Sequence, residues 1–306
     1  MNALTALLLA CAASAVAVAQ DDANRLGAER LRSWSDADPV HQRGLATVAG
    51  VEIDADDVLA KLFSTNTELV YAALESTVRA QVLQLEAERL GVFVDVASLE
   101  LEVGRVLKAQ QDRFAFEAGP EQDFERYIAE RYRITPEAYR SVIRREVLEQ
   151  MMLVRTVRLA SRQSERMVCR VIVVKEREKA EELAEKLNEG ANFARLAEQN
   201  SIDRSATRGG LLAPIARSTS EPLLVGAAAV EAGKLAPIEA LTNDGLTVYR
   251  LLKIDSLLPA DTRAYADQRA ELETELEERP VEAIELSDWD RAVRARYPIE
   301  VKLAKP

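Results

Sequence analysis

Few residues in this chain could carry acid–base, nucleophilic or metal chemistry. It contains a single histidine, His41, and two cysteines, Cys11 and Cys169. A histidine-dependent catalytic triad would have to use His41, and no G-x-S-x-G sequence accompanies it. Zinc sites need several His or Cys ligands, and the pair Gly209-Gly210 lacks the flanking pattern of a phosphate-binding loop. We therefore expect no metal, no cofactor and no nucleotide.

The composition is typical of a helix-rich protein with two domains. The 306 residues are 48% hydrophobic, and only 12 Gly and 10 Pro interrupt long stretches rich in Glu, Lys, Arg, Ala and Leu. The formal net charge of -11 argues against a nucleic-acid partner, because phosphate binding needs a concentrated basic face.

The second half of the chain shows an ordered series of short elements. The sequence predicts a strand over 170–175, a helix ending at Gly190, a helix within 191–201, Asp203, a turn at 208–210, the segment 229–234 and a closing strand over 245–252. This order resembles the parvulin-type prolyl isomerase domain, which is a small α/β module with an antiparallel sheet.

The resemblance implies where an isomerase site would lie. The family carries one histidine in its first strand, at the position of Val171, and another after its closing glycine, at the position that we assign to Thr247. Asp203 corresponds to the polar residue of the site. The apolar groups of the proline pocket correspond to Leu212, Ile215, Thr219 and Leu223. Because neither histidine position can titrate, no catalytic residue is assigned with this sequence alone.

The first half predicts a short hairpin followed by amphipathic helices. The hairpin covers 46–53, and Gly91 is a stop signal for the helix over 68–90. Further helices are predicted over 54–62, 98–116, 122–132 and 136–159. This region resembles the N-terminal chaperone domain of SurA-, PrsA- and PpiD-type foldases, in particular through 47–53 and 84–91.

The tail continues the helical pattern. Helices are predicted over 261–278 and 281–296, with Trp289 as a core anchor of the tail, and residues 299–303 alternate as a strand does. In the resembled foldases such a tail packs onto the N-terminal domain. We therefore expect the final strand to pair with the hairpin, which makes the helical domain discontinuous.

These elements define an α+β chain with five segments. They are a signal peptide (1–19), a flexible arm containing His41 (20–43), a helical chaperone-like domain (44–160), a parvulin-like module (165–256) and a tail (257–306). The ending Ala17-Val18-Ala19 suits signal peptidase, whereas Cys11 lies in a lipobox-like sequence that would anchor the protein to a lipid. Either reading predicts export to the periplasm or the cell exterior. After cleavage only Cys169 remains, which we expect to be a small buried residue.

Two functions remain open from the sequence. The first is a chaperone that binds unfolded exported or outer-envelope proteins and has weak or no isomerase activity. The second is an active prolyl isomerase of the cell envelope that acts on proline-containing peptides. Rotation of an X-Pro bond has a barrier of about 18–20 kcal/mol and needs no covalent intermediate, so the missing histidines do not decide between the two. A subunit with one fixed partner is a third reading.

Overall fold

The chain folds as two compact units. The computed structural model describes residues 25–27, 45–219, 229–243 and 245–302. The first unit ends at Thr156 and the second begins at Val157. Helices dominate the first unit, while the second combines helices with a four-stranded antiparallel sheet. The predicted α+β class is confirmed.

Long amphipathic helices form most of the first unit. They are α1 (Ala55–Thr65), α2 (Thr67–Leu90), α3 (Val96–Ala118), α4 (Phe124–Tyr132) and α5 (Pro136–Arg162), which begins in the first unit and ends in the second. Asp54 closes the start of α1 with a capping box. Gly91 ends α2 in the left-handed conformation at φ 65°, as its position in the sequence predicts.

Two small sheets complete the first unit. They pair β1 (Arg25–Gly27) with β4 (Phe93–Asp95), and β2 (Ala46–Val48) with β3 (Val51–Ile53). The prediction of a flexible arm over 20–43 is therefore wrong for β1, where Leu26 is buried and lies opposite Val94. A three-residue strand is too short to produce a detectable period in a polar segment.

The second unit is built on one antiparallel sheet. Its elements are β5 (Arg166–Val174), α6 (Arg177–Asn188), α7 (Phe193–Asn200), a 3-10 helix (Arg204–Arg208), β6 (Ile215–Ala216), β7 (Glu239–Asn243), β8 (Leu246–Leu258), α8 (Tyr265–Glu278) and α9 (Ala283–Arg296). The strand order is β6-β5-β8-β7. Ile172 and Leu251 on one face pack with Leu183 of α6 and Phe193 of α7. The opposite face carries the candidate site.

The tail helices lie in the same unit as the sheet. We expected them to join the helical domain of residues 44–160, but α8 and α9 belong to the unit that begins at Val157. Two arginines in the last turns of α5 account for the difference. Arg158 binds Glu285 at 3.0 Å and Arg162 binds Glu275 at 2.9 Å, across 127 and 113 residues of sequence. Trp289 is 5% exposed, which confirms its predicted place in the core.

The predicted C-terminal strand is wrong over the residues that the structure describes. Residues 298–302 form no strand, and Leu303 lies outside the described ranges. Val301 is 52% exposed. An alternating pattern describes only which side chains could share a face, whereas a strand also needs a partner for its backbone N–H and C=O groups.

Glu149 of α5 provides a pH-dependent test of packing in the first unit. Burial raises the pKa of its carboxyl above the usual value. A raised pKa in the folded state means that this group stabilises the fold at low pH and that the contribution is lost as the pH rises through the folded pKa. Glu149→Gln is therefore expected to increase the free energy of unfolding at pH 7.5 more than at pH 4. Urea unfolding at both pH values measures the free energies, with the exposed Glu75→Gln as control. Equal changes in the free energy of unfolding for the two variants would contradict the prediction.

Candidate functional site

Val171, which the resemblance matches to the first family histidine, lies in the middle of β5. Its side chain is 3% exposed and it pairs with Leu252 of β8. Its backbone N–H donates to the carbonyl of Gly210 at 2.8 Å. An aliphatic side chain in this place can pack against a proline ring but can neither donate nor accept a hydrogen bond.

Thr247 does not lie beside Val171. The ladder between β5 and β8 begins at the pair Val174–Tyr249, so Thr247 lies beyond it. There its hydroxyl oxygen is 2.9 Å from that of Thr242 on β7. Alternation along a strand also puts Thr247 and Leu252 on opposite faces, since they are an odd number of residues apart. The structure therefore does not bring these two predicted site residues together.

Arg250 is the polar residue of β8 that shares the face of Val171. It lies opposite Val173, is 5% exposed and forms an ion pair with Glu239 of β7. A count from Gly245 points to Thr247 instead, because it ignores which side chains of the strand share a face. The alternation of side chains along β8 is the sequence signal that could have found it.

Asp203 has a structural role that the sequence leaves open. It caps the 3-10 helix, where one carboxylate oxygen accepts hydrogen bonds from the backbone N–H of Ser205 at 2.8 Å and from its hydroxyl at 2.6 Å. The cap holds the turn that leads to Gly209 and Gly210. A carboxylate engaged in this way fixes the loop beside β5.

Two of the four predicted pocket residues come together on the face of Val171. Ile215 is 1% exposed and belongs to a core cluster with Cys169, Leu252 and other apolar residues, and Leu212 packs against this cluster. Thr219 is 8% exposed. Leu223 lies outside the described residues.

The tail helix α9 covers this face. Ile284 packs against the cluster that contains Ile215. The Thr219 hydroxyl forms a hydrogen bond with Asp288, and Glu282 accepts a 2.6 Å ion-paired hydrogen bond from Arg208. These contacts from one helix occupy the space beside the pocket residues. Ile215 is 1% exposed, so a proline ring could contact it only if the side chains packed around it, Ile284 of α9 among them, were displaced.

Cys169 lies within the same core. Its side chain is completely buried, and burial is the main reason that its thiol pKa is raised to about 12. A thiol with this pKa stays protonated and unreactive at neutral pH, which confirms the predicted core role. Among the described residues, no group of three His, Cys, Asp or Glu is arranged to hold a metal ion.

The first unit offers a different kind of surface. Large apolar side chains are exposed on the β2–β3 hairpin and on α1, where Val51 is 67% and Leu59 is 52% exposed. On α3, Leu101 is 70% and Phe116 is 90% exposed. These exposed apolar side chains are available for contact with other polypeptides. No helix within the described ranges combines the length and apolar character needed to cross a membrane.

Comparison with protein families identifies the module. Residues 146–238 match the family described as the PPIC-type PPIASE domain. This part of the chain therefore belongs to the parvulin-type domain family, as its order of elements predicts. The chain's single histidine, His41, lies outside the match, so the matched segment contains none. A comparison with curated proteins gives no match.

Solved structures similar to the chain include several folding factors. The foldase protein PrsA of Streptococcus pneumoniae is 17% identical, with 85% of this chain and 95% of that chain covered and a TM-score of 0.36. The parvulin domain of PpiD from E. coli is 25% identical, with 33% and 96% covered and a TM-score of 0.29. A Campylobacter jejuni structure, from work on two SurA-like chaperones, is 15% identical, with 85% and 100% covered and a TM-score of 0.28.

Proposed function

We propose that this protein is an exported folding factor that binds unfolded or extended client polypeptides through its helical unit. Its parvulin-type module contributes weak or no prolyl isomerisation. Export depends on the signal peptide predicted for residues 1–19, and the clients would be unfolded exported or outer-envelope proteins. An active isomerase that acts on proline-containing peptides is the alternative.

One contrast between the two units carries this proposal. Pocket residues of the module are packed inside the chain, with Ile215 at 1% and Thr219 at 8% exposure, whereas Phe116 of the helical unit is 90% exposed. A client can reach only surface that is open. Binding by the helical unit therefore needs no rearrangement, while binding at Ile215 requires displacement of the side chains packed on it, Ile284 of α9 among them.

Prolyl isomerisation is expected to be well below that of a histidine-containing parvulin domain on the same short peptide. The reason is the loss of imidazole at Val171 and the cover that Ile284 gives to the pocket. Exchange NMR measures the rate directly, without requiring recognition of a folded client. Val171→His, alone or with Arg250→His, is expected to leave the rate low because α9 still covers the site. A rate equal to that of the control domain would support the isomerase alternative.

Suppression of aggregation tests the chaperone role. The chain from Gln20 onwards is expected to delay aggregation of an unfolded exported protein at a near-stoichiometric ratio and without ATP, because the exposed apolar surface competes for the client's own apolar segments. Light scattering at several molar ratios is the measurement. If scattering develops as fast with the protein as with an equal mass of albumin, the folding-factor proposal fails.

A further inference from the structure

Five aromatic rings meet in the first unit, on α3, α4 and the start of α5. We call this set the aromatic cluster, and it consists of Phe114, Phe124, Tyr127, Tyr132 and Tyr139. Ring centroids are 4.7 Å apart for Phe114 and Tyr127, and 5.6 Å apart for Tyr132 and Tyr139. The whole chain has only 6 Phe and 7 Tyr, so this concentration is unusual. Tyr127 is 37% and Tyr132 is 51% exposed, which leaves part of the cluster open to solvent.

A cavity of about 310 Å³ opens beside the aromatic cluster. Phe124 and Tyr139 line it together with the buried Ile128, and two carboxylates, those of Glu125 and Glu137, line it as well. This volume is at the lower end of the range for ligand pockets. It is sufficient for one or two side chains of a bound polypeptide and too small for a folded domain.

The charge of this cavity is negative. Its one lining cation, Arg140, is bound to Glu100 at 2.9 Å, and hydrogen bonds from Arg144 and Arg140 lower the pKa of that carboxyl. Glu125 and Glu137 are both exposed and form no ion pair within the ranges that the structure describes. Hydrogen bonds from the backbone N–H of Glu137 itself and from Thr135 lower the pKa of the Glu137 carboxyl, so it is ionised at neutral pH.

The backbone beside the cluster is strained. Arg133, which follows Tyr132 at the end of α4, has a left-handed conformation at φ 59°. A residue other than glycine adopts this conformation only at an energetic cost. The turn allows Tyr132 to stack against Tyr139 at an interplanar angle of 27°. Such a conformation persists where surrounding contacts hold it, and the ring contacts of Tyr132 lie directly beside it.

We propose that the cavity binds a lysine or arginine side chain of an extended client segment, with a neighbouring apolar side chain of that segment packed on Tyr127 and Tyr132. Aromatic faces attract cations within about 6 Å of the ring, and Glu125 and Glu137 supply the opposite charge. The net charge of -11 favours the approach of basic segments over longer distances. This inference rests on the proposed function, because it names the client feature that the helical unit recognises.

Binding of matched peptides to the full chain tests the inference. The probes are three fluorescein-labelled decapeptides of Ser and Gly with a central Leu-Arg-Phe, Leu-citrulline-Phe or Leu-Glu-Phe. Citrulline keeps the shape of arginine without its charge. Fluorescence anisotropy is expected to give about tenfold tighter binding of the arginine peptide than of the citrulline peptide, with the glutamate peptide weakest.

Variants of the protein locate the effect. Glu125→Gln with Glu137→Gln is expected to reduce the preference for arginine over citrulline to about twofold or less. Glu68→Gln with Glu75→Gln makes the same change of net charge at exposed positions on α2 and should leave the preference intact. Tyr132→Leu should weaken binding of the arginine and citrulline peptides alike, because both lose the aromatic contact.

The outcomes separate this inference from the proposed function. Equal binding of the arginine and citrulline peptides, no binding of either, or a preference that survives the double variant at Glu125 and Glu137 would each overturn the inference. The aggregation assay is then repeated with that double variant. If the original protein suppresses aggregation but gives any of these three peptide results, the folding-factor role stands and only the inference fails. If the protein binds the arginine peptide selectively but does not suppress aggregation, the folding-factor role has failed.

Discussion

Replacement of Glu285 by alanine is expected to lower the free energy of unfolding of the second unit by up to about 3–5 kcal/mol, since it removes the fully buried carboxylate that pairs with Arg158 and leaves the partly exposed Glu275, at 3.0 Å, as its partner. Glu285 on α9 and Arg158 on α5 have side chains that are 1% and 0% exposed, and their atoms approach to 3.0 Å. The same carboxylate accepts a 3.0 Å hydrogen bond from the backbone N–H of Glu282 at the start of α9. The substitution therefore removes an ion pair and a helix cap together.

Two further variants distinguish a buried ion pair from general sensitivity to substitution. Arg158→Met with Glu285→Met removes both charges and should recover a large part of the loss, because apolar residues of similar volume can replace a buried pair. Asp112→Ala breaks the exposed pair with Lys108, whose side chains are 63% and 74% exposed, and should cost less than about 1 kcal/mol. Guanidinium unfolding gives the free energies. Similar losses for Glu285→Ala and Asp112→Ala would contradict the assignment of a buried pair.

Loss of this ion pair should also change access to the module. Ile284 and Asp288, which cover the pocket residues, lie on the same helix as Glu285. If Glu285→Ala loosens α9, hydrogen exchange should increase over 283–296 before it increases over the sheet. The pocket would then open without any change to its own residues. The buried ion pair of the tail therefore also influences how accessible the residues assigned to the proline pocket are.

Local patterns predicted the helices well because their signals lie within each helix. Pro136 begins α5 and Gly91 ends α2, where the structure has them. In the apolar stripe that helical spacing predicts on α2, Val82 is buried, and Val78 and Leu85 are half-buried. Such features depend on residues three or four positions apart. No knowledge of the rest of the chain is needed to find them.

Features that depend on distant partners could not be predicted. Arg158 and Arg162 look like solvated charges in a helix of alternating polar and apolar residues, yet their side chains are 0% and 11% exposed. Their burial depends on carboxylates in the tail that sequence periodicity cannot connect to them. β1 escaped prediction for the same reason, because its partner β4 is far along the chain.

The candidate site also depends on contacts between residues that are distant in the sequence. Ile215 and Leu212, which the resemblance assigns to the proline pocket, pack in one apolar cluster on the face of the sheet that carries Cys169. Thr247 was placed by counting from Gly245, and the actual register of β5 and β8 puts Arg250 on that face instead. The cover over the pocket comes from α9, whose position depends on the ion pairs of the tail. The accessibility of these residues therefore depends on a part of the chain that the local pattern does not connect to them.

Gly210→Ala is expected to destabilise the second unit by about 3 kcal/mol or more. Gly210 has a left-handed conformation at φ +77°, and a Cβ there would overlap the backbone carbonyl oxygen of Val171. Left-handed backbone costs a residue other than glycine about 1–2 kcal/mol. Movement of the loop away from β5 would also weaken the hydrogen bonds from Val171 to Gly210 at 2.8 Å and from Leu212 to Cys169 at 3.0 Å, each of which contributes about 1 kcal/mol.

Gly233→Ala is the control that separates the cost of the left-handed backbone from the cost of the steric overlap at Gly210. Gly233 has a similar conformation at φ +84°, but nothing lies within 4 Å of a Cβ built on it. Its substitution should therefore cost only the left-handed strain, about 1–2 kcal/mol. Denaturant unfolding of the two variants measures the difference, and hydrogen exchange at residues 210–216 reports whether the loop has left β5. Equal losses in the two variants would mean that Gly210 is required for its backbone conformation alone and that the loop is not held tightly against Val171.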